Sequence, residues 1–179
     1  MENPFIFTEP YHSPCGDLIL GSSGDQLCLC DWTVSKQRDR TYLRLQRELK
    51  TTMKEEPSAV TREAAKQLDE YFRGVRKNFD LPLLFVGTPF QKSVWENLLH
   101  VPYGETRTYA WMARQLGNVR AVRAIGHAIG SNPIAIFVPC HRIIGSDGKL
   151  TGFAGGIAAK KFLLEMERSV RSPYHFDIQ

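Results

Sequence analysis

The segment after Gly87 constrains the fold most tightly. "TPFQKSVWENLLHVPYG" opens with Thr88, Pro89 and, three residues after the threonine, Gln91. Threonine as N-cap, proline in the first turn and a glutamine that reaches back to the cap together predict a helix start. Val94, Leu98 and Val101 continue one apolar face, and "VPYGE" breaks it. "TYAWMARQLGN" predicts a second helix with Gly117 as its C-terminal cap. "VRAVRAIGHAIGSNP" predicts a third, stopped by Ser131, Asn132 and Pro133. Two short helices joined by a tight glycine-containing turn form a helix-turn-helix pattern.

The third helix carries little bulk: Ala121, Ala124, Gly126, Ala128 and Gly130 are all small. Arg120 and Arg123 stand three apart, on roughly one face. Small residues admit either a packed neighbour or a nucleic-acid groove. The charge favours the groove. Residues 1–87 hold 12 Lys and Arg against 13 Asp and Glu, whereas residues 88–179 hold 11 against 6. The basic second half points to a polyanion.

The first half reads differently. "PFIFTEPY" and "SPCGDLILGSSGDQLCLCDW" predict short strands, the latter a hairpin turning at "GSSGD". Residues 36–55 are dense in charge and read as helical or mobile. "AVTREAAKQLDEYFRGV" places Ala64, Leu68, Tyr71, Phe72 and Val75 at helical spacing. "NFDLPLLFVG" reads as extended.

With 42% apolar and 23% charged residues in 179, the composition is that of a soluble globular protein of one domain or two small ones. No apolar run of about 18 residues predicts a membrane span, and the N-terminus lacks the pattern of a secretory signal. Four cysteines without an export signal predict reduced thiols in a cytosolic setting. Cys28 and Cys30, at i and i+2, fall on one face of a predicted strand, with His12 and Cys15 close in sequence. That spacing suits burial better than zinc chelation, although a metal on these four residues stays open.

"IFVPCHRIIG" is the chemically loaded stretch. A thiol becomes a strong nucleophile as thiolate, and His141 with Arg142 offers Cys140 a base and a positive field. In an extended segment neighbouring side chains point to opposite faces. His141 then reaches the sulfur only at a turn or through a water. The alternative is a buried cysteine acting as a small hydrophobe. "GSDGKLTGFAGG" follows, a loop with five glycines in twelve residues, and "IAAKKFLLEMERSV" predicts a closing helix.

From "GTPFQKSVW" through "VPYGETRTYAWMARQLG", "AVRAIGHAIGSNPIAIFVPCHRIIG", "GKLTGFAGG" and "KKFLLEME", the chain resembles the O6-alkylguanine-DNA alkyltransferases. The first 85 residues match in layout only. The resemblance implies an α+β fold: a small N-terminal α/β domain with a ribonuclease H-like layout over 1–87 and a structural role, then a mostly helical domain with a winged helix-turn-helix over 88–179. It implies direct-reversal repair, in which O6-alkylguanine, and also O4-alkylthymine, is flipped from duplex DNA and its alkyl group passes irreversibly to Cys140.

In that scheme His141 acts through a water and is oriented by Glu167, which predicts a depressed pKa for Cys140. Tyr109 assists the leaving base and Asn132 ties down the active-site turn. Arg123 fills the space of the flipped base, while Ala121, Ala124, Gly126 and Arg120 face the minor groove and Ser146 lies near the backbone. Phe153, Val138, Ala154 and Gly155 line the base pocket; Phe153 and Ala154 stand where many relatives carry tyrosine and serine. No cofactor or metal is implied. The partner is double-stranded DNA, approached by a monomer with cooperation along DNA left open, in a cytoplasmic setting with the nucleoid, or a nuclear one in a eukaryote.

Three other readings compete. Alkyltransferase-like damage-binding modules keep the fold but lack the cysteine, which is present here. A Cys-His acyl hydrolase leaves the basic small-residue helix unexplained. A transcription factor leaves Cys140 and His141 unexplained.

Overall fold

The computed structural model describes residues 5–171. Strands β1 (Phe5–Ser13), β2 (Gly16–Ser23) and β3 (Gln26–Trp32) form an antiparallel meander. Helix α1 (Arg38–Glu48) leads to β4 (Thr52–Glu55), which pairs parallel to β1 and gives the sheet order β3-β2-β1-β4. The charged stretch 36–55 therefore holds a helix and a short edge strand. Pro10 lies beyond the β4 pairing, where β1 is a sheet edge and a missing N–H is tolerated.

Register departs from the sequence pattern at one point. Ser22 faces Leu27 and Gly21 faces Leu29, so Cys28 is the extra residue of a bulge. The bulge resets the strand's alternation. Cys28 packs with Ile6, Leu29 and Leu45, whereas Cys30 joins the cluster that contains Leu20 and Val94. The two cysteines thus do not share a face.

Helix α2 (Ala59–Phe72) starts at a capping box made by Ser58 and Thr61. It ends before Gly74, which has φ +77° and stops the turn, so Val75 lies outside the helix and is exposed rather than on its apolar face. Helix α3 (Pro89–Leu98) has the Thr88–Gln91 capping box that the sequence predicts. Then come β5 (Arg107–Thr108), α4 (Tyr109–Gln115), α5 (Val122–Gly130), β6 (Ile143–Ile144) and α6 (Ile157–Arg171). Gly117, at φ +70°, closes α4. Helix α5 starts later than the sequence suggests: Ala121 is its N-cap and Arg120 precedes it.

The main core runs through both halves without a break. It joins Leu18, Leu20 and Trp32 of the sheet to Leu68 and Tyr71 of α2, Trp95 of α3, Ile125 of α5 and Leu163 of α6. The outer edge of β3 is covered by two irregular segments. Leu27 accepts from Leu84 N and donates to Pro82 O, while Cys30 donates to Pro133 O and accepts from Ala135 N. The second pair ties the loop before Cys140 to the N-terminal sheet.

Candidate active site

The path from Asn132 to Cys140 is a series of tight turns. Asn132 spans the loop, donating Nδ2 to Val138 O at 3.0 Å and accepting from Ile134 N at 3.0 Å. Between those anchors Ile136 adopts φ +72°, and Phe137 N bonds to Ala135 O across it. That is a γ-turn of the strained hand on a β-branched residue, a conformation that costs on the order of 1–3 kcal/mol. A second three-residue turn follows at Pro139 (φ −81°, ψ 60°), with Cys140 N donating to Val138 O. Cys140, His141 and Arg142 then form one turn of 3₁₀ helix. The segment is not the extended strand that its apolar flanks suggest.

Glu167, from α6, is the centre of the polar network. Its Oε1 accepts from Tyr71 OH (2.7 Å), His141 Nε2 (2.7 Å) and Arg142 Nη2 (2.9 Å). Its Oε2 accepts from Arg142 Nε (3.0 Å) and Gly104 N (3.4 Å). Arg142 also donates Nη1 to Val101 O. Burial alone would raise the Glu167 carboxyl. The hydrogen bonds from His141 and Arg142, together with the Arg142 charge, outweigh it and hold the group well below the ordinary carboxylate range.

His141 is fully buried, and burial pulls its imidazole below the usual value against the opposing effect of Glu167. A neutral imidazole beside an ionised carboxylate carries its proton on Nε2. Nδ1 is then the basic nitrogen, and it is buried without a hydrogen-bond partner among the described residues.

Burial also raises the thiol of Cys140, with Asn132 and Lys160 acting in the opposite sense. This corrects the expectation of a depressed pKa: the resting group is a thiol, and it needs a base to remove its proton. Burial pushes Cys28 up to about 12 and Cys30 well above the thiol range.

A cleft opens at the glycine-rich loop, and its lining does not include Cys140, His141 or Glu167. Tyr109, Val122 and Gly126 line one side, Thr151 to Gly156 another, and Val34 to Gln37 of the N-terminal half a third. Tyr109 is half-buried and packs on Gly126. Phe153 meets Trp32 edge-on, with ring centroids 4.9 Å apart. Gly155 crosses the same indole so closely that a Cβ would lie 2.5 Å from Trp32 Cε2. Lys160, almost fully buried, donates to Ile143 O (2.6 Å) and Thr151 O (3.2 Å), tying the glycine-rich loop to β6. Ala154 lines the cleft, whereas the side chain of Val138 is fully buried.

Arg120, Arg123 and Ala124 are exposed, and with half-buried Ala121 they border a second groove that includes Phe90, Gln91 and His127. Ser146 is exposed on the loop after β6. His12 pairs with Asp17 at 2.8 Å, and no group of three or more metal-ligating side chains is gathered among the described residues. No helix among them is long and apolar enough to cross a membrane.

The sequence is similar over residues 89–169 to the family model described as 6-O-methylguanine DNA methyltransferase, DNA binding domain. Residues 6–85 match the companion ribonuclease-like domain. The chain belongs to this family. The methylated-DNA–protein-cysteine methyltransferase of Mycobacterium tuberculosis is 46% identical over 161 residues, covering 90% of this chain and 91% of its own length. That of Methanosarcina barkeri is 58% identical over 108 residues, 60% of this chain and 68% of its own. A crystal structure of the Mycobacterium tuberculosis protein in complex with DNA superposes with a TM-score of 0.78 at 41% identity, covering 92% and 94% of the two chains. The α+β fold, with its N-terminal sheet and helical second half, is that of the family.

Two side chains, Tyr71 on Glu167 and Lys160 under the glycine-rich loop, lay outside the residues singled out for the site. Tyr71 looks from sequence like one more apolar position of α2, and Lys160 like one of a pair of surface lysines. A basic residue at a helix position that faces the core is the one signal that would have raised Lys160.

Proposed function

We propose that this chain repairs alkylated DNA by direct transfer of the alkyl group from guanine O6 to Cys140, once per molecule. One observation carries the reading. Cys140 sits on a turn held by Asn132, next to a neutral His141 whose Nε2 is bound to Glu167 and whose Nδ1 has no partner among the described residues. In the reaction the thiol proton passes to Nδ1 through a water. Sulfur attacks the alkyl carbon, the carbon–oxygen bond breaks, and its electron pair stays with the base. Tyr109 delivers a hydrogen bond or proton to the departing ring, and the His141 proton restores the balance, so the products are a thioether and guanine. A thioether offers water no leaving group, which makes the transfer irreversible. O4-alkylthymine presents the same alkyl–oxygen carbon and reacts in the same way.

A buried thiol requires the base out of the stack. Arg123 enters the duplex from the minor groove, where Ala121, Ala124 and Gly126 allow close approach and Arg120 and Ser146 meet the backbone. Phe153, Ala154 and Gly155 flank the flipped base, with the Val138 backbone behind it. The 1–87 unit is structural support, and 88–179 binds DNA and accepts the alkyl group. The protein acts as a monomer in a reducing, cytoplasmic setting, consistent with four free cysteines.

The test is a mass spectrum after mixing with duplex DNA containing O6-methylguanine. One methyl group is expected on Cys140 and none on Cys15, Cys28 or Cys30, with no reaction in Cys140→Ser. Repeated turnover, or an adduct on another residue, would reject the reading.

A further inference from the structure

Glu167 Oε1 is unusually crowded. It takes three donors, from Tyr71, His141 and Arg142, while Oε2 takes Arg142 and Gly104. A carboxylate has about four acceptor sites in all. Five donors compete for about four lone-pair sites, and the three on Oε1 share one oxygen's charge, so each weakens the hold of the others. The donor from α2 lies 96 residues away in sequence.

We propose that Tyr71 is a positioning residue of the proton-transfer couple: its hydroxyl, by sharing Glu167 Oε1 with His141 Nε2, limits how strongly the carboxylate stabilises protonated His141. The inference rests on the reading of His141 as the base that takes the Cys140 proton. It adds to the supporting role of 1–87 one side chain that acts on the chemistry through Glu167.

The ring of Tyr71 is caged by Phe72 (5.2 Å between centroids), Phe79 (5.3 Å) and Tyr103 (6.1 Å), which fixes where the hydroxyl points. Burial and the Glu167 charge keep the phenol protonated, so it acts as a donor. The other charged or titratable groups acting on His141 and Glu167 are Arg142 on the same turn, Tyr103 from the segment before β5, and Lys160 from α6. The two cations disfavour imidazolium and Glu167 favours it. Removing the Tyr71 hydroxyl leaves more of the carboxylate charge to His141, so the imidazolium becomes easier to form. The protonation midpoint of His141 rises, and the base is lost at higher pH.

Tyr71→Phe keeps the ring and removes only the hydroxyl. The control is Tyr11→Phe, which removes a tyrosine–carboxylate hydrogen bond of the same length (2.7 Å, to Asp69 on α2) away from the couple. Two readouts are taken below the melting temperature of each variant: the NMR titration of the His141 ring, and the pH dependence of alkyl transfer from free O6-benzylguanine. In Tyr71→Phe both midpoints are expected to rise by about half to one pH unit. The rate should fall roughly three- to tenfold on the acid side and stay within about twofold on the plateau. Tyr11→Phe should move neither midpoint. An unmoved or lowered His141 midpoint in Tyr71→Phe, or an equal rise in Tyr11→Phe, overturns the proposal. The NMR arm needs no transfer activity. Absence of transfer in the unmodified protein would therefore strike the proposed function while the titration still decides the role of Tyr71.

Discussion

Around Glu167 every charge is buried and partnered, with Arg142 forked onto the carboxylate and His141 and Tyr71 on the same oxygen. Along α5 the arrangement is reversed: Arg123 and Ala124 stand exposed, with Arg120 just before the helix. The first region depends on mutual satisfaction, because a buried charge without its partner costs far more than the pair gains. The exposed face of α5 contributes little to the fold, which the helix supports through Ile125, Ala128 and Ile129 on its other side, and is available to an outside partner. Stability and function should therefore separate when the two regions are mutated.

The strongest test of that separation is Arg142→Ala. It strands the Glu167 carboxylate, which has no exposure, and leaves the Val101 carbonyl without its donor. Breaking a buried pair from one side typically costs about 3–5 kcal/mol. That is a large part of the roughly 5–15 kcal/mol available to a domain. Denaturant unfolding should show this loss, with Arg142→Lys recovering only part of it because an ammonium cannot form the fork. A loss within about 0.5 kcal/mol would mean that the network is not the structural keystone its geometry implies.

What the sequence made legible follows the same division by range. The Thr88–Gln91 capping box, the Gly117 cap and the hairpin at Gly24 depend on neighbours within a few residues, and each forms where the pattern indicates. The bulge at Cys28 and the pairing of β4 with β1 depend on partners chosen by tertiary register, and the local pattern carries no trace of them. In the site, Cys140 and His141 stand out by type. Glu167 lies in a helix dense with charge, and only the family resemblance distinguishes it there. Tyr71 joins it across 96 residues, a contact set by the packing of α2 against the rest of the core. The raised thiol of Cys140 was hidden for a related reason: a neighbouring histidine and arginine are visible in sequence, whereas desolvation is a property of the finished fold.

Phe153 lies between the two extremes. It is half-buried, set edge-on against Trp32 with Lys160 Nζ 6.0 Å from its centroid, yet it lines the open cleft. Base–aromatic stacking is worth about 1–3 kcal/mol, or roughly tenfold to a hundredfold in rate at about 1.4 kcal/mol per decade. Phe153→Ala should slow transfer by that amount, Phe153→Leu should restore packing but not rate, and Phe153→Tyr should change little. Transfer rate and melting temperature must be measured together, because Trp32 and Lys160 make Phe153 part of the loop's support as well. A leucine variant with full rate, or rate losses that track lost stability in all three, would assign the ring to the core alone.

The smallest effect on the fold is expected at Arg123. Its side chain is exposed near the start of α5, beside Ala124 and His127 in the second groove, and truncating such a residue usually changes stability by less than about 0.5 kcal/mol. Its effect on function should depend on the substrate. Free O6-benzylguanine needs no flipping, so Arg123→Ala should react with it at the unmodified rate. In the proposed reaction duplex DNA must hold one nucleotide out of the stack at a cost of a few kcal/mol, and removing an arginine that fills the vacated space lets the base return more readily. Repair of O6-methylguanine in duplex DNA should then slow by about tenfold or more while the fold is untouched. Salt dependence separates this role from a simple phosphate contact. Removing a cation that neutralises one phosphate lowers the slope of log affinity against log salt by about one, whereas an intercalating side chain contributes through stacking and leaves most of that slope in place. Equal losses on free base and duplex would deny Arg123 any part in flipping. A lost unit of slope with an unchanged flipping-dependent step would move it to the backbone, the role proposed for Arg120.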